Sequence, residues 1–97
     1  MQDNELMVLL KANLDLITVE SNREAFLKQC LASARAFIQR EGIPLSENVS
    51  EEDGMLIVMY AAYLYRKRAV NEPMPRMLRY ALNNRIMSLK AGVSDDT

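Results

Sequence analysis

Few side chains in this 97-residue chain are equipped for chemistry. It has one cysteine, Cys30, and no histidine or tryptophan. Without histidine, a His-containing zinc site, a Ser-His-Asp triad and an imidazole base are excluded within one chain. A lone cysteine excludes an intrachain disulfide and a Cys-rich metal site, and it suits a reducing compartment. Cys30 falls mid-helix on an apolar stripe, away from the helix start or neighbouring cation that makes a thiolate, so it reads as a small buried side chain. The densest acidic run is Glu51-Glu52-Asp53. As a metal site it needs a further oxygen donor folded against it, and the chain has neither an EF-hand loop nor a Glu-x-x-His pair. Asp3, Glu5 and this run all fall near helix beginnings, where carboxylates cap free N–H groups and meet the positive end of the macrodipole. The three glycines, Gly42, Gly54 and Gly92, stand singly, so no phosphate-cradling loop is present. Lys11, Lys28, the tyrosines and the serines have no activating partner in the sequence. The expectation is a protein that is not an enzyme and carries no cofactor and no metal.

Charge is distributed more tellingly. Residues 1–54 hold ten acids and five bases, a net of −5, and residues 55–97 hold seven bases and three acids, a net of +4. The bases of the second half are Arg66, Lys67, Arg68, Arg76, Arg79, Arg85 and Lys90. They fit a solvated face laced with internal ion pairs, or a subunit with an acidic side that meets the basic side of the next copy, head to tail. Direct DNA contact is a third reading, but the whole chain is slightly acidic, with a net charge of −1, whereas a free nucleic-acid binder is usually basic.

The elements that position these residues are helical. Asn4 to Leu16 carries Leu6, Leu9, Leu10 and Leu14 on one face, with Met7 and Val8 beside it. Asn22 to Glu41 opens on Ser21, with Glu24 three places on as a capping box, and buries Leu27, Cys30, Leu31, Ala34, Phe37 and Ile38. Gly42 then reads as a left-handed cap, Ile43 as its hydrophobic contact and Pro44 as the stop. After the loop Pro44 to Ser50, Ser50 caps a third helix that runs to about Val70, its first turn weakened slightly by Gly54. Met55 to Tyr65 is apolar almost all round, so this helix belongs at the centre of a bundle with partners on more than one side. Pro73 and Pro75 make a corner, Pro75 takes the first position of the last helix, and Met77, Leu78, Ala81, Leu82, Ile86 and Leu89 form that helix's apolar face. Gly92 ends it, and the residues from about 92 form a frayed tail. The fold class expected is all-α, a small bundle of four helices with short loops, in a single domain over residues 1–97.

The run from Met55 to Tyr65 spans about 16 Å as a helix, half the hydrocarbon thickness of a bilayer. The first residues are acidic and lack the pattern of an export signal. A soluble protein made in the cytoplasm, with no membrane partner, is therefore expected. Seven Met and four Tyr are many for this length. Core packing accounts for most, yet a bundle this small leaves apolar flanks on its first, third and last helices for another chain to cover.

From about Leu56 to Leu89 the chain, with its runs MLIVMYAAYLYRKR and NEPMPRMLRYALNNRIMSLKAG, resembles the small head–tail connector (head completion adaptor) proteins of tailed phages and prophages. Ala32 to Ile43, ASARAFIQREGI, is similar to the family's long helix, Met59 to Arg68 to its apolar helix with a basic end, and Met74 to Leu89 to its proline-led last helix. The likeness spans residues 22–91. It implies a structural virion assembly protein: a ring of about twelve copies that docks beneath the portal protein, receives a tail or neck completion protein, and passes DNA only as cargo through its hole. It places the protein in the host cytoplasm during assembly and then in the virion neck. The positions that carry over are interface or structural ones, Arg35, Arg66, Arg68 and Pro75, with Arg85 in an equivalent role on the last helix. Arg76 and Arg79 from the basic face, and Leu6 and Leu10 from the first helix, complete the candidate set. The loop Pro44 to Ser50 is shorter than the connectors' own, which leaves the portal-docking surface open. The alternative is a small helical DNA-binding or packaging accessory protein, although Pro75, Met77 and Leu78 occupy the turn where a recognition helix would offer polar side chains.

Overall fold

A computed structural model describes residues 1–15, 21–69 and 71–95, with side chains at 1–15, 23–68 and 71–91. The chain is a small all-α bundle of four helices joined by short loops: α1 Asp3–Asn13, α2 Ser21–Arg40, α3 Glu51–Ala69 and α4 Arg76–Asp95. The centre is α3. It packs most extensively on α2, then on α1, and α4 reaches the bundle through it. The core joins Leu6 and Leu10 of α1, Leu27, Leu31, Ala34 and Ile38 of α2, Ile57, Val58 and Ala61 of α3, and Leu78 and Leu82 of α4.

Local signals set most of the boundaries. The backbone at Gly42 is left-handed, φ 103°, its N–H bonds to the Gln39 carbonyl, and the Ile43 N–H reaches back to Ile38. That bond pair is a Schellman motif, and the buried Ile43 supplies its hydrophobic contact. At the start of α3, Ser50 Oγ accepts from the Asp53 N–H at 3.2 Å. The Ser21 capping box lies outside the described side chains; Glu24 for its part is paired with Lys11 of α1, 3.2 Å.

Three boundaries differ from expectation. α1 stops at Asn13 instead of Leu16, because Asp15 takes a left-handed conformation, φ 58°, and folds its N–H onto the Ala12 carbonyl. Aspartate tolerates that region better than most residues. Pro75 precedes α4 instead of opening it; its carbonyl accepts the Arg79 N–H, the first bond of the helix. α4 continues through Gly92 to Asp95, since a glycine costs a helix about 1 kcal/mol relative to alanine but does not end it without a left-handed turn. Gly54 has a packing role that helix propensity hides: a Cβ there would lie 2.6 Å from Met1 Sδ and 3.3 Å from Leu6 Cδ2. The start of the chain crosses α3 at this point, and the Val49 N–H bonds to the Met1 carbonyl.

The molecule is long for its mass, 50 × 28 × 19 Å with a radius of gyration of 14.1 Å. It exposes 6501 Å², where a compact monomer of this mass exposes about 5,600 Å². On α4 the fully buried side chains are Leu78 and Leu82 alone among the described residues of that helix.

Candidate interaction surfaces

The arginines expected to mark a surface are for the most part engaged within the chain. Arg35 on α2 donates through Nη2 and Nε to Asp3 Oδ1 of α1, 2.9 and 3.2 Å. It also donates to the carbonyls of Ser46 and Glu47, at 2.9 and 3.2 Å. One guanidinium thus ties α1, α2 and the 44–50 loop together. Arg79 on α4 forms a two-point pair with Glu41 at the end of α2, 2.8 and 3.2 Å. Arg85 does the same with Asp53 in the first turn of α3, 2.7 and 3.3 Å. Arg66 donates to the carbonyl and side-chain oxygens of Asn13, both at 3.4 Å. The Arg68 guanidinium sits over the rings of Phe26 and Tyr65, 4.8 and 5.4 Å from their centroids. Arg76 lies exposed beside Pro75.

These contacts have electrostatic consequences. The Arg79 hydrogen bond holds the Glu41 carboxyl below its ordinary range, more than its partial burial raises it. Nearby Tyr60 is pushed up, by burial first and by Glu41 second. Burial also raises the Cys30 thiol, against the pull of the Arg68 charge. No group of three His, Cys, Asp or Glu side chains among the described residues is arranged to hold a metal ion. Within the Glu51-Glu52-Asp53 run, Asp53 is buried and turned toward Arg85, away from its two neighbours' solvent-facing side chains. No helix among the described residues is long and apolar enough to cross a membrane.

Leu6 and Leu10 are fully buried in the chain's own core and offer nothing to a neighbour. The period of α1 had set Val8 beside the apolar face; it is in fact 66% exposed. On α4 the correction is larger. Met77, expected to face inward, is 75% exposed, and with it Tyr80 at 59% and Met87 at 63%. Met77, Tyr80, Asn84 and Met87 follow one another at steps of three, four and three, which places them on one side of a helix. Ala81, Ser88 and Ala91 complete that side. Arg76 flanks it, about 20° from Met87 around the helix, while Arg79 and Arg85 turn toward the bundle and pair with Glu41 and Asp53. The spacing was legible in the sequence; the direction it faced was not.

Two surface features adjoin uncovered apolar side chains. A shallow groove between α3 and α4 is lined by Glu52, Met55, Met59, Ala81 and Asn84, and it continues the α4 ridge onto α3. A separate groove of about 700 Å³ lies between α1 and α2, with Met7, Val8, Leu31 and Ala32 among its lining. The ion pairs Asp3–Arg35 and Lys11–Glu24 join α1 to α2 at either end of it. Comparison with family models, with curated proteins and with solved structures found no match to the chain.

Proposed function

We propose that this chain is a structural assembly subunit, which acts by joining other chains and closing into a ring. In the specific form implied by its likeness to the connector proteins, the ring is an adaptor between a phage portal and the tail or neck, and DNA passes through its hole. The observation that carries the reading is the largely apolar outward side of α4, with Met77, Tyr80 and Met87 in solvent. A 20-residue helix with two fully buried leucines, flanked by the partly buried Ala81, Ile86 and Leu89, and two ion pairs is lightly used as a core element. It makes sense as a surface that another chain covers. Ring closure through a head-to-tail contact requires two different patches on each copy; support comes from two separate surfaces that share no residue, the outward side of α4 and the α1–α2 groove.

Electron microscopy of the purified chain, alone and mixed with a portal ring, tests this. Annular particles or decorated portals support it; bare portals together with monomeric protein contradict it. DNA binding draws its support from the exposed Arg66, Lys67 and Arg68 at the end of α3. It is weakened by the internal pairing of Arg79 and Arg85. Binding to duplex DNA that falls steeply with salt would favour it over the adaptor.

A further inference from the structure

On the reading of the chain as an assembly subunit, we infer that Val8 of one copy seats in the shallow groove between α3 and α4 of the next, with Lys28 of the first facing Glu52 of the second. The two surfaces share no residue, so a single copy can engage one neighbour with each.

Shape suggests the match. Val8 stands 66% in solvent on α1, a branched knob at the edge of the α1–α2 groove. The α3–α4 groove, about 300 Å³, is a hole of the corresponding kind: Met55, Met59, Ala81 and Asn84 surround it, and the alanine keeps its α4 wall low. A β-branched side chain among four such residues packs as a knob in a hole. Two α3–α4 grooves laid together would face hollow to hollow. Asn84 lies between Tyr80 and Met87 on the outward side of α4, so a neighbour seated in the groove also covers that side.

Charge agrees once the pairs made inside the chain are set aside. In the lining of the α1–α2 groove, Lys11 is paired with Glu24 and Arg35 with Asp3. Lys28 remains, exposed and without an ion pair among the described residues. The α3–α4 groove has one charged residue among those that line it, Glu52, also exposed and without a hydrogen bond or ion pair. Arg85, which feels the Glu52 charge, is bonded through Nε and Nη2 to Asp53. Arg76 lies off the end of the groove, about 7 Å along α4 from Ala81. Joining the unlike surfaces sets a lone cation against a lone carboxylate. Joining like surfaces would set Lys28 against Lys28, or Glu52 against Glu52.

Area sets the strength. One knob and one exposed ion pair fall short of the roughly 800 Å² per partner of a stable two-body complex, and a pair in solvent fixes register more than affinity. One contact is weak, and accumulation of contacts on closure, or on a template, is what holds the assembly. That matches a repeating head-to-tail contact better than a two-fold dimer.

Charge reversal tests the pairing in the intact chain, with sedimentation as the readout and circular dichroism to confirm that each variant is folded. Lys28→Glu and Glu52→Lys should each weaken self-association about five-fold, and the doubly reversed protein should regain it. Lys28 and Glu52 form no pair within one chain, so that rescue arises between copies. Glu51→Lys, at the neighbouring exposed carboxylate outside the groove, makes the same change of net charge and should leave association unaltered. In a Cys30→Ala background, Val8→Cys with Met55→Cys should give a ladder of disulfide-linked multimers on mild oxidation. Multimers that form without an 8–55 link, a double reversal that fails to rescue, or an equal loss in Glu51→Lys would each overturn the inference and leave the assembly reading standing. A chain that stays monomeric at every concentration would remove both.

Discussion

Arg85, from the middle of α4, clamps Asp53 in the first turn of α3: Nε lies 2.7 Å from Oδ1 and Nη2 lies 3.3 Å from Oδ2. Asp53 is the buried charged residue of the core region, and its N–H is already taken by Ser50. The two residues are 32 apart in the chain and join consecutive helices. Removing the carboxylate strands a half-buried guanidinium. Asp53→Ala should therefore cost about 2–3 kcal/mol in urea unfolding, whereas the same change at exposed Glu51 should cost under about 0.5 kcal/mol. A pair of equal, small effects would show that the Asp53–Arg85 contact does not anchor α4.

The Glu41–Arg79 pair makes a pH prediction. Its hydrogen bond lowers the Glu41 carboxyl from its ordinary value of 4.5, so the folded protein takes up that proton less readily than the unfolded chain. The stabilisation is complete above the ordinary value and disappears as pH falls through the depressed one. Glu41→Gln should be less stable than the parent at neutral pH, and the difference should shrink as pH is lowered below about 4.5. A difference that stays constant down to strongly acid pH would assign the Glu41 effect to packing instead.

At Gly42 the cost of a side chain is purely conformational. The backbone has φ 103°, and a Cβ there meets nothing within 4 Å. Gly42→Ala should destabilise by about 1 kcal/mol or somewhat more, with Gly42→Asn milder because asparagine visits the left-handed region more readily. Thermal unfolding of the two variants checks the order. An alanine variant as stable as the parent would mean that the Schellman turn adjusts without loss.

The weak seating of α4 has a dynamic consequence. With Leu78 and Leu82 as its fully buried anchors, it should open locally before α3 does. Amides in the middle of α4 should exchange at least about ten-fold faster than those around Ile57–Ala61. Leu82→Ala should cost about 3 kcal/mol, from lost burial and the cavity left behind. Equal protection in both helices would show that α4 unfolds only with the whole domain.

How much of this was written in the sequence depends on the kind of signal. Gly42, Ile43 and Pro44 end α2 through local geometry, and Ser50 starts α3 the same way, so both were readable from neighbouring residues. The all-round apolar run at Met55–Tyr65 placed α3 at the centre because only a helix with partners on several sides can bury it. What periodicity could not supply was direction and distance. Met77 shares the apolar period of α4, yet the burial of Leu78 and Leu82 turns it outward. Asp53 looked like one cap among several acids, because its partner Arg85 is remote in sequence. Gly54 looked like a small helical cost, because Met1 and Leu6 approach it only in the folded chain. The same holds for the arginines: Arg79 and Arg85 read as part of a basic second half, with internal ion pairs as one explanation, and Arg35 as a position carried by the resemblance, but which carboxylates they meet became visible only with the helices packed.

The central claim is that the side of α4 bearing Met77, Tyr80 and Met87 is covered by another copy. Sedimentation of the intact chain across a wide concentration range, beside Met87→Glu, measures it most directly. The account predicts reversible growth of the parent beyond a dimer as concentration rises, and a shift toward monomer for Met87→Glu with an unchanged urea midpoint. Identical monomeric behaviour of both proteins at all concentrations would contradict it.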